Sequence, residues 1–129
     1  MKYLIDTQVF IWLNTDINRL TRKFVTLSQS GQNEFYLSMA SVWEMQIKQQ
    51  LGKLSLPTTV EQLVKHNQAM SNLNLLNIDL KHIGALESLP DVHKDPFDRL
   101  IIAQSLCESM TLISADQMFQ YYPVQVEWS

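Results

Sequence analysis

Four acids in this 129-residue chain stand where a carboxylate can do more than face water. Asp6 closes the apolar run KYLID, and Asp116 follows the run TLIS by two residues; Asp98 opens the apolar stretch FDRLIIAQS, and Glu44 lies early in ASVWEMQIKQQLG. Carboxylates brought near one point repel one another, and some stay protonated unless a cation joins them. All-oxygen coordination selects magnesium or manganese over zinc, and such an ion acidifies bound water, so the chemistry on offer is metal-assisted hydrolysis. Each acid also has a plain structural use. Glu44 stands three residues after Ser41 at capping-box spacing, Asp6 precedes Thr7 and can cap, and Asp116 suits a helix start. In HKDPFDRLIIAQS (93–105), Asp95 reads as the cap, Pro96 as the first helical residue and Asp98 as an acid on the positive helix end.

Other chemistries find little support. His66, His82 and His93 show no HxxxH pairing and read as exposed polar residues, while the one cysteine, Cys107, sits in an apolar helical run and reads as a buried structural thiol. A lone cysteine excludes a disulfide framework and suits a reducing cytoplasm. Gly31, Gly52 and Gly84 are scattered, so no phosphate-cradling loop exists, and Ser41, Ser105 and Ser114 lack a G-x-S-x-G setting. The formal net charge of -3 provides no global basic field, so a polyanion would need a local patch or bound cations. Lys48, Lys53, Lys94 and Arg99 are candidates for phosphate contact, with a solvated face as the better reading of each.

The elements that position the acids come from periodicity. Residues 2–6 read as a strand and 7–14 as a helix; 34–38 as a strand and 40–52 as a helix with Val42, Trp43, Ile47 and Leu51 inward and Gly52 as its stop. Residues 58–70 form a helix with Val60, Leu63, Val64 and Met70 inward, 73–79 a third strand, and 79–87 a short helix. The stretch 96–107 is apolar on nearly every side and reads as a buried helix. Then come a strand at 111–114, a short helix at 115–122 and an alternating strand at 124–128 suited to a sheet edge. Short apolar strands alternating with helices call for α/β architecture with a parallel sheet covered on both faces, here a single domain over 1–129 without a membrane segment. In such a sheet the functional edge lies at the carboxyl ends of the strands. Asp6, Glu44 and Asp116 fall there, whereas the topology alone leaves the edge of Asp98 open.

The blocks YLIDTQVFIW (3–12), SMASVWEMQIKQQLGKLSLP (38–57), HKDPFDRLIIAQS (93–105) and TLISADQMFQYYPVQV (111–126) resemble, in order and spacing, those of PIN-domain nucleases, and within them the VapC-type toxins of bacterial toxin–antitoxin pairs. The resemblance covers nearly the whole chain. It implies a three-layer α/β/α sandwich around a parallel sheet of four to five strands, and carries the family's four acids, as catalytic and metal-binding residues, onto Asp6, Glu44, Asp98 and Asp116. It places Asp98 with the others, Asp95 being the cap, and sets Thr7 and Ser114 beside the metal positions. It further implies Mg2+ or Mn2+ as cofactor, RNA as substrate, cleavage by a metal-dependent endoribonuclease, a cognate antitoxin, a homodimer and a cytoplasmic location. Trp12 and Trp43 are candidates for the antitoxin contact, though core packing is the commoner use of such residues. Two other readings compete. One is a catalytically silent RNA- or partner-binding module of the same fold, which the intact acid set disfavours. The other is a receiver-type phosphotransfer domain, which needs a lysine near the last strand; none follows Arg99.

Overall fold

The computed structural model describes residues 1–129 and contains five strands, all parallel, in the order β3-β2-β1-β4-β5. Strand β1 (Lys2–Ile5) is central, flanked by β2 (Glu34–Ser38) and β4 (Thr111–Ile113), with β3 (Asn74–Leu76) and β5 (Val126–Glu127) at the edges. Helix α1 (Thr7–Thr15) follows β1, α3 (Met39–Gln50) follows β2, and α4 (Val60–Ser71) returns the chain to β3. Beyond β3 come α5 (Leu80–Ala85) and α6 (Pro96–Glu108), and a 3-10 turn over Gln117–Tyr121 separates β4 from β5. Residues 16–33, which carry no clear period, fold as a 3-10 turn (Ile17–Arg19) and α2 (Arg22–Gln29), capped by Thr21, whose Oγ1 accepts from the Phe24 amide at 3.2 Å.

Strand alternation divides the core in two, because successive side chains point to opposite faces. Tyr3, Ile5, Leu37, Leu75 and Ile113 face α1 to α4, with Phe10, Phe24, Met45, Leu63 and Val64 packed against them. Leu4, Tyr36 and Leu112 face the other layer, which α6 fills with Ile101, Ile102 and Ala103 and the 3-10 turn with Phe119. The sheet is thus sandwiched between helical layers, as expected. The edge strand at 126–127 is also where alternation places it, while the third strand is shorter than the 73–79 of the sequence reading.

Several residues depart from the sequence expectations. Trp43 on α3 and Leu51 just beyond its end are largely exposed, at 61% and 64%, and the buried face of that helix is Ala40, Ser41, Glu44 and Met45. Of the expected stripe, Val42 packs against the core and Ile47 is partly buried, while the acid and the serine of the inward face are not visible to hydrophobic spacing. Met70 is exposed, and buried Asn67 takes that turn of α4 inward, its amide donating to Asn14 Oδ1 and the Leu63 carbonyl, each at 2.8 Å. Helix α6 is fully covered only over Ile101–Ser105; Leu106 reaches solvent and Cys107 is partly exposed, so the thiol is not a core residue.

The edge on which Asp98 falls is decided by the end of α6. Ser109 takes the left-handed conformation (φ 54°), and the Met110 amide donates to the Ser105 carbonyl at 3.0 Å. The chain therefore turns directly from α6 into β4. A helix joined so closely to the start of a strand must run antiparallel to it, and its first turn then lies at the carboxyl edge of the sheet.

Candidate active site

The acids arrive at the site from four segments. Asp6 is the residue between β1 and α1, and its amide donates to the Ile113 carbonyl at 2.9 Å, which continues the β1–β4 ladder to the site's floor. Its side chain makes no capping bond to the following helix amides. Instead Oδ2 accepts from Ser114 Oγ at 2.8 Å, and Ser114 Oγ in turn accepts from the Asp116 amide at 3.0 Å. Asp116 does cap, its Oδ1 accepting from the Met118 amide at 2.9 Å. One serine therefore joins the loops beyond β1 and β4.

Glu44 does not take part in a capping box with Ser41. The N-cap of α3 is Ser38, whose hydroxyl accepts from the Ala40 amide at 3.0 Å, so Glu44 lies in the second turn and points inward. Ser41 accepts a hydrogen bond from Thr7 Oγ1 at 2.8 Å, tying the starts of α1 and α3 together. At Glu44, Oε2 accepts from Lys48 Nζ at 2.8 Å, while Oε1 is buried with no hydrogen-bond partner. That pairing raises the pKa of Lys48, chiefly through the hydrogen bond to Glu44. Lys48 is thus engaged within the site, contrary to the reading of a simply solvated charge. Lys53 and Lys94 do lie in solvent, whereas Arg99 braces the loop ahead of α6 by donating to the Pro90 carbonyl at 2.9 Å and the His93 carbonyl at 3.4 Å.

Asp95 and Asp98 divide the work at the start of α6. Asp95 is the N-cap, with Oδ1 accepting from the Phe97 and Asp98 amides at 2.9 and 3.3 Å, and Pro96 is the first helical residue. Asp98 is left to face the cleft. There it meets a residue the sequence reading set aside: His93 Nε2 lies 2.9 Å from Asp98 Oδ2 and 3.3 Å from Asp116 Oδ2. The imidazole is held by contact with Phe119 at 5.7 Å between ring centroids, and the His93 amide donates to Tyr122 Oη at 2.6 Å. The search for HxxxH spacing tests only helical neighbours, whereas His93 reaches the acids from a loop. The available signal was its place five residues before Asp98 in a proline-bounded turn. His82 is not exposed either; it is fully buried, with Nδ1 accepting from the Asp79 amide at 2.9 Å and Nε2 2.8 Å from Glu108 Oε2. Only His66 lies in solvent as read.

Asp6, Glu44, Asp98 and Asp116 line one open cleft of about 340 Å³, with Thr7, Gln8, Ile11, Trp12, Lys48, Asp95 and Ala115. Crowding shows in the proton affinities. Burial pushes Asp98 up to about 8, helped by the charges of Asp6, Asp95, Glu44 and Asp116. Burial likewise raises Asp6 to about 6, opposed by the Ser114 hydrogen bond and assisted by Glu44 and Asp116. The donor set fits a hard divalent cation: Asp98 and Asp116 come within ligating reach of one another beside His93, Asp6 and Glu44 line the same cleft, the acids disfavour one another's charged forms, and a buried Glu44 oxygen has no donor.

The PIN domain, as a sequence family, matches residues 3–124. The chain belongs to the PIN-domain family. The PIN fold recurs in solved structures over nearly the full length of both chains. VapBC2 from Rickettsia felis, bound to a DNA fragment from its promoter, superposes with a TM-score of 0.74 at 17% identity, covering 100% of each chain. DNA-bound VapBC from Salmonella typhimurium gives 0.68 at 15% identity, covering 98% of this chain and 97% of the other. A toxin–antitoxin complex from Klebsiella pneumoniae gives 0.59 at 20% identity, covering 97% and 95%. No curated protein matches the PIN chain by sequence. In this PIN domain no helix is long and apolar enough to cross a membrane.

Proposed function

We propose that this PIN domain, acting as one unit over 1–129, is a metal-dependent endoribonuclease that hydrolyses RNA phosphodiester bonds. The observation that carries the reading is the convergence of Asp6, Glu44, Asp98 and Asp116 on one cleft, with two of them holding their protons far above the usual carboxylate range. Asp6, Asp98 and Asp116 would hold Mg2+ or Mn2+, with Glu44 supporting a second ion or the attacking water. When bound, such an ion lowers the pKa of water and offsets charge on the phosphate oxygens. The remaining work falls to the chain. Ser114 orients Asp6; His93 holds Asp98 and Asp116 together; Lys48 engages Glu44 Oε2, while Oε1 stays buried without a partner. Lys48 is also the only basic residue lining the cleft, so its ammonium is the protein's own charge for a phosphate. The negative net charge of the chain is then no obstacle, since the cation supplies the local attraction.

The likeness to VapBC and toxin–antitoxin complexes supports a toxin that pairs with a cognate antitoxin, and the reading extends, on the family resemblance alone, to a homodimer that acts in the cytoplasm. The deciding experiment is cleavage of mixed cellular RNA by the purified, antitoxin-free chain with Mg2+ or Mn2+, with chelator, and with Asp98→Asn. Cleavage lost with chelator and in the variant is the expected result. Metal binding without cleavage of mixed RNA or of individual tRNAs overturns the nuclease and leaves a binding module.

A further inference from the structure

Glu44 is the acid with a cation already at its side. His93 Nε2, an Asp98 oxygen and an Asp116 oxygen lie within 4.8 Å of one another, compact enough for one ion, and no set of three ligand atoms as close as this includes Glu44. Asp6 is outside the set too but is tied to it by Ser114 Oγ, which bonds both Asp6 and the Asp116 amide. Glu44 has a different partner. Lys48, one turn further along α3, donates from Nζ to Oε2 at 2.8 Å, and Oε1 is enclosed without a partner. The spacing alone is ordinary, because Glu at i and Lys at i+4 pair readily on any exposed helix. Glu61 and Lys65 do so on α4 at 2.9 Å, with side chains 77% and 69% exposed. Glu44 and Lys48 differ in burial and in place: the glutamate side chain is only 6% exposed, and both residues line the acidic cleft. The ammonium also feels the acids across that cleft. Lys48 holds its proton more firmly than an ordinary lysine, first through the hydrogen bond to Glu44 and further through the charges of Glu44, Asp95 and Asp98, against the cost of burial.

We infer that the Lys48 ammonium, held by Glu44, takes the place of a second divalent ion, so that the cleft works with a single Mg2+ or Mn2+ at the three aspartates. The inference rests on the nuclease reading above and narrows the part left to Glu44, which becomes a positioning residue for Lys48. A second ion at Glu44 would have to expel the ammonium from Oε2 or enter at Oε1, which is closed to solvent. At Oε1 a double charge would also stand beside a single one in a partly buried site, where like charges repel more than in water. In two-ion phosphodiester hydrolysis the cations flank the phosphate and offset charge on the attacking and leaving oxygens. A lysine offers a compact point charge for the same purpose and needs no dissolved ion. Its ammonium has three donors, and the Lys48 side chain is 46% exposed, so Nζ can meet a phosphate oxygen without leaving Glu44.

The test counts ions on the full chain, purified free of antitoxin, by titrating Mn2+ and reading the unbound ion by electron paramagnetic resonance. One bound Mn2+ is expected for the unsubstituted chain and for Lys48→Arg, and two for Lys48→Met, in which Glu44 is released to an ion. Cleavage of mixed cellular RNA at limiting Mn2+ is expected to fall on the order of a hundredfold in Lys48→Met, and to recover in part as added Mn2+ fills the vacated place. The rate should be first order in Mn2+ for the unsubstituted chain and steeper for Lys48→Met, a measure that also registers any ion arriving with the RNA. Lys65→Met removes a lysine from the same spacing on α4 and should alter neither count nor rate. Two ions on the unsubstituted chain, or a steep Mn2+ dependence with Lys48 in place, overturns the inference, and neither measurement depends on how a variant folds. No gain of an ion in Lys48→Met, or undiminished cleavage by it, overturns the inference as well. A chain that binds no ion overturns both readings. One that gains its second ion on loss of Lys48 and never cuts RNA defeats the nuclease reading alone.

Discussion

Asp98 illustrates how a carboxylate facing a shared cleft can be costly to the fold. Its pKa of about 8 means that, at neutral pH, ionising it works against burial and four neighbouring acids. Asp98→Asn keeps the shape and cannot ionise, so the metal-free variant is expected to be more stable at neutral pH by about 1 kcal/mol or more, since folding no longer requires this carboxyl to take up a proton. RNA cleavage should fall to background, and denaturant melts with chelator beside cleavage assays check both halves. His93 makes a different prediction. It binds two acids that come from different loops, so His93→Ala should weaken Mg2+ affinity by about tenfold, as removal of a partner that orients metal ligands does. Titration calorimetry reads this directly; unchanged affinity would mean that the loops hold the acids without it.

At the scale of elements, the start of α6 decides which aspartate serves which purpose. Asp95 accepts two helix amides, so Asp95→Ala should cost about 1 kcal/mol through loss of the cap, while Asp95→Asn keeps an accepting oxygen and should keep both stability and cleavage. Urea unfolding of the pair, with a cleavage assay, separates the cap from the ligand; loss of cleavage in Asp95→Asn would reverse the assignment to Asp95 and Asp98. The cap at Asp95 was legible in the sequence because Pro96 suits the first helical position after a cap. The α3 face was not. Ser41 and Glu44 at capping-box spacing suggested a helix start, but Ser38, at the very end of β2, takes the cap and turns Glu44 into the cleft. Local spacing identifies a possible cap; the end of the preceding strand decides which residue is used.

For the whole molecule, pH and metal should act on stability in opposite senses. Asp6 and Asp98 have raised pKa values in the fold, so between about pH 4 and pH 8 the native chain binds more protons than the unfolded one, and stability must fall as pH rises. Their stabilising contribution is complete below the ordinary carboxylate range and is lost as pH passes about 6 for Asp6 and about 8 for Asp98. With chelator, the melting temperature is therefore expected to decline over this window. Saturating Mg2+ should flatten the decline, and its binding at neutral pH should release protons, detectable by calorimetry in buffers of different ionisation enthalpy. A metal-free chain whose stability rises steadily from pH 5 to pH 8 would contradict the crowded-acid account.

From sequence alone came the alternating strands and helices and the parallel sheet, because periodicity and proline position are local properties that the chain carries before it folds, whereas the four acids stood together as a set only through the family resemblance. What those acids do to one another was not local. The edge of the sheet that Asp98 occupies depends on how closely α6 joins β4. The orphaned Glu44 oxygen depends on Lys48 taking its neighbour, and the reach of His93 depends on a loop pressed against Phe119 and Tyr122. Trp12 next to Trp128 joins the two ends of the chain. Charge repulsion, desolvation and aromatic contact act through space, and only tertiary structure sets those distances.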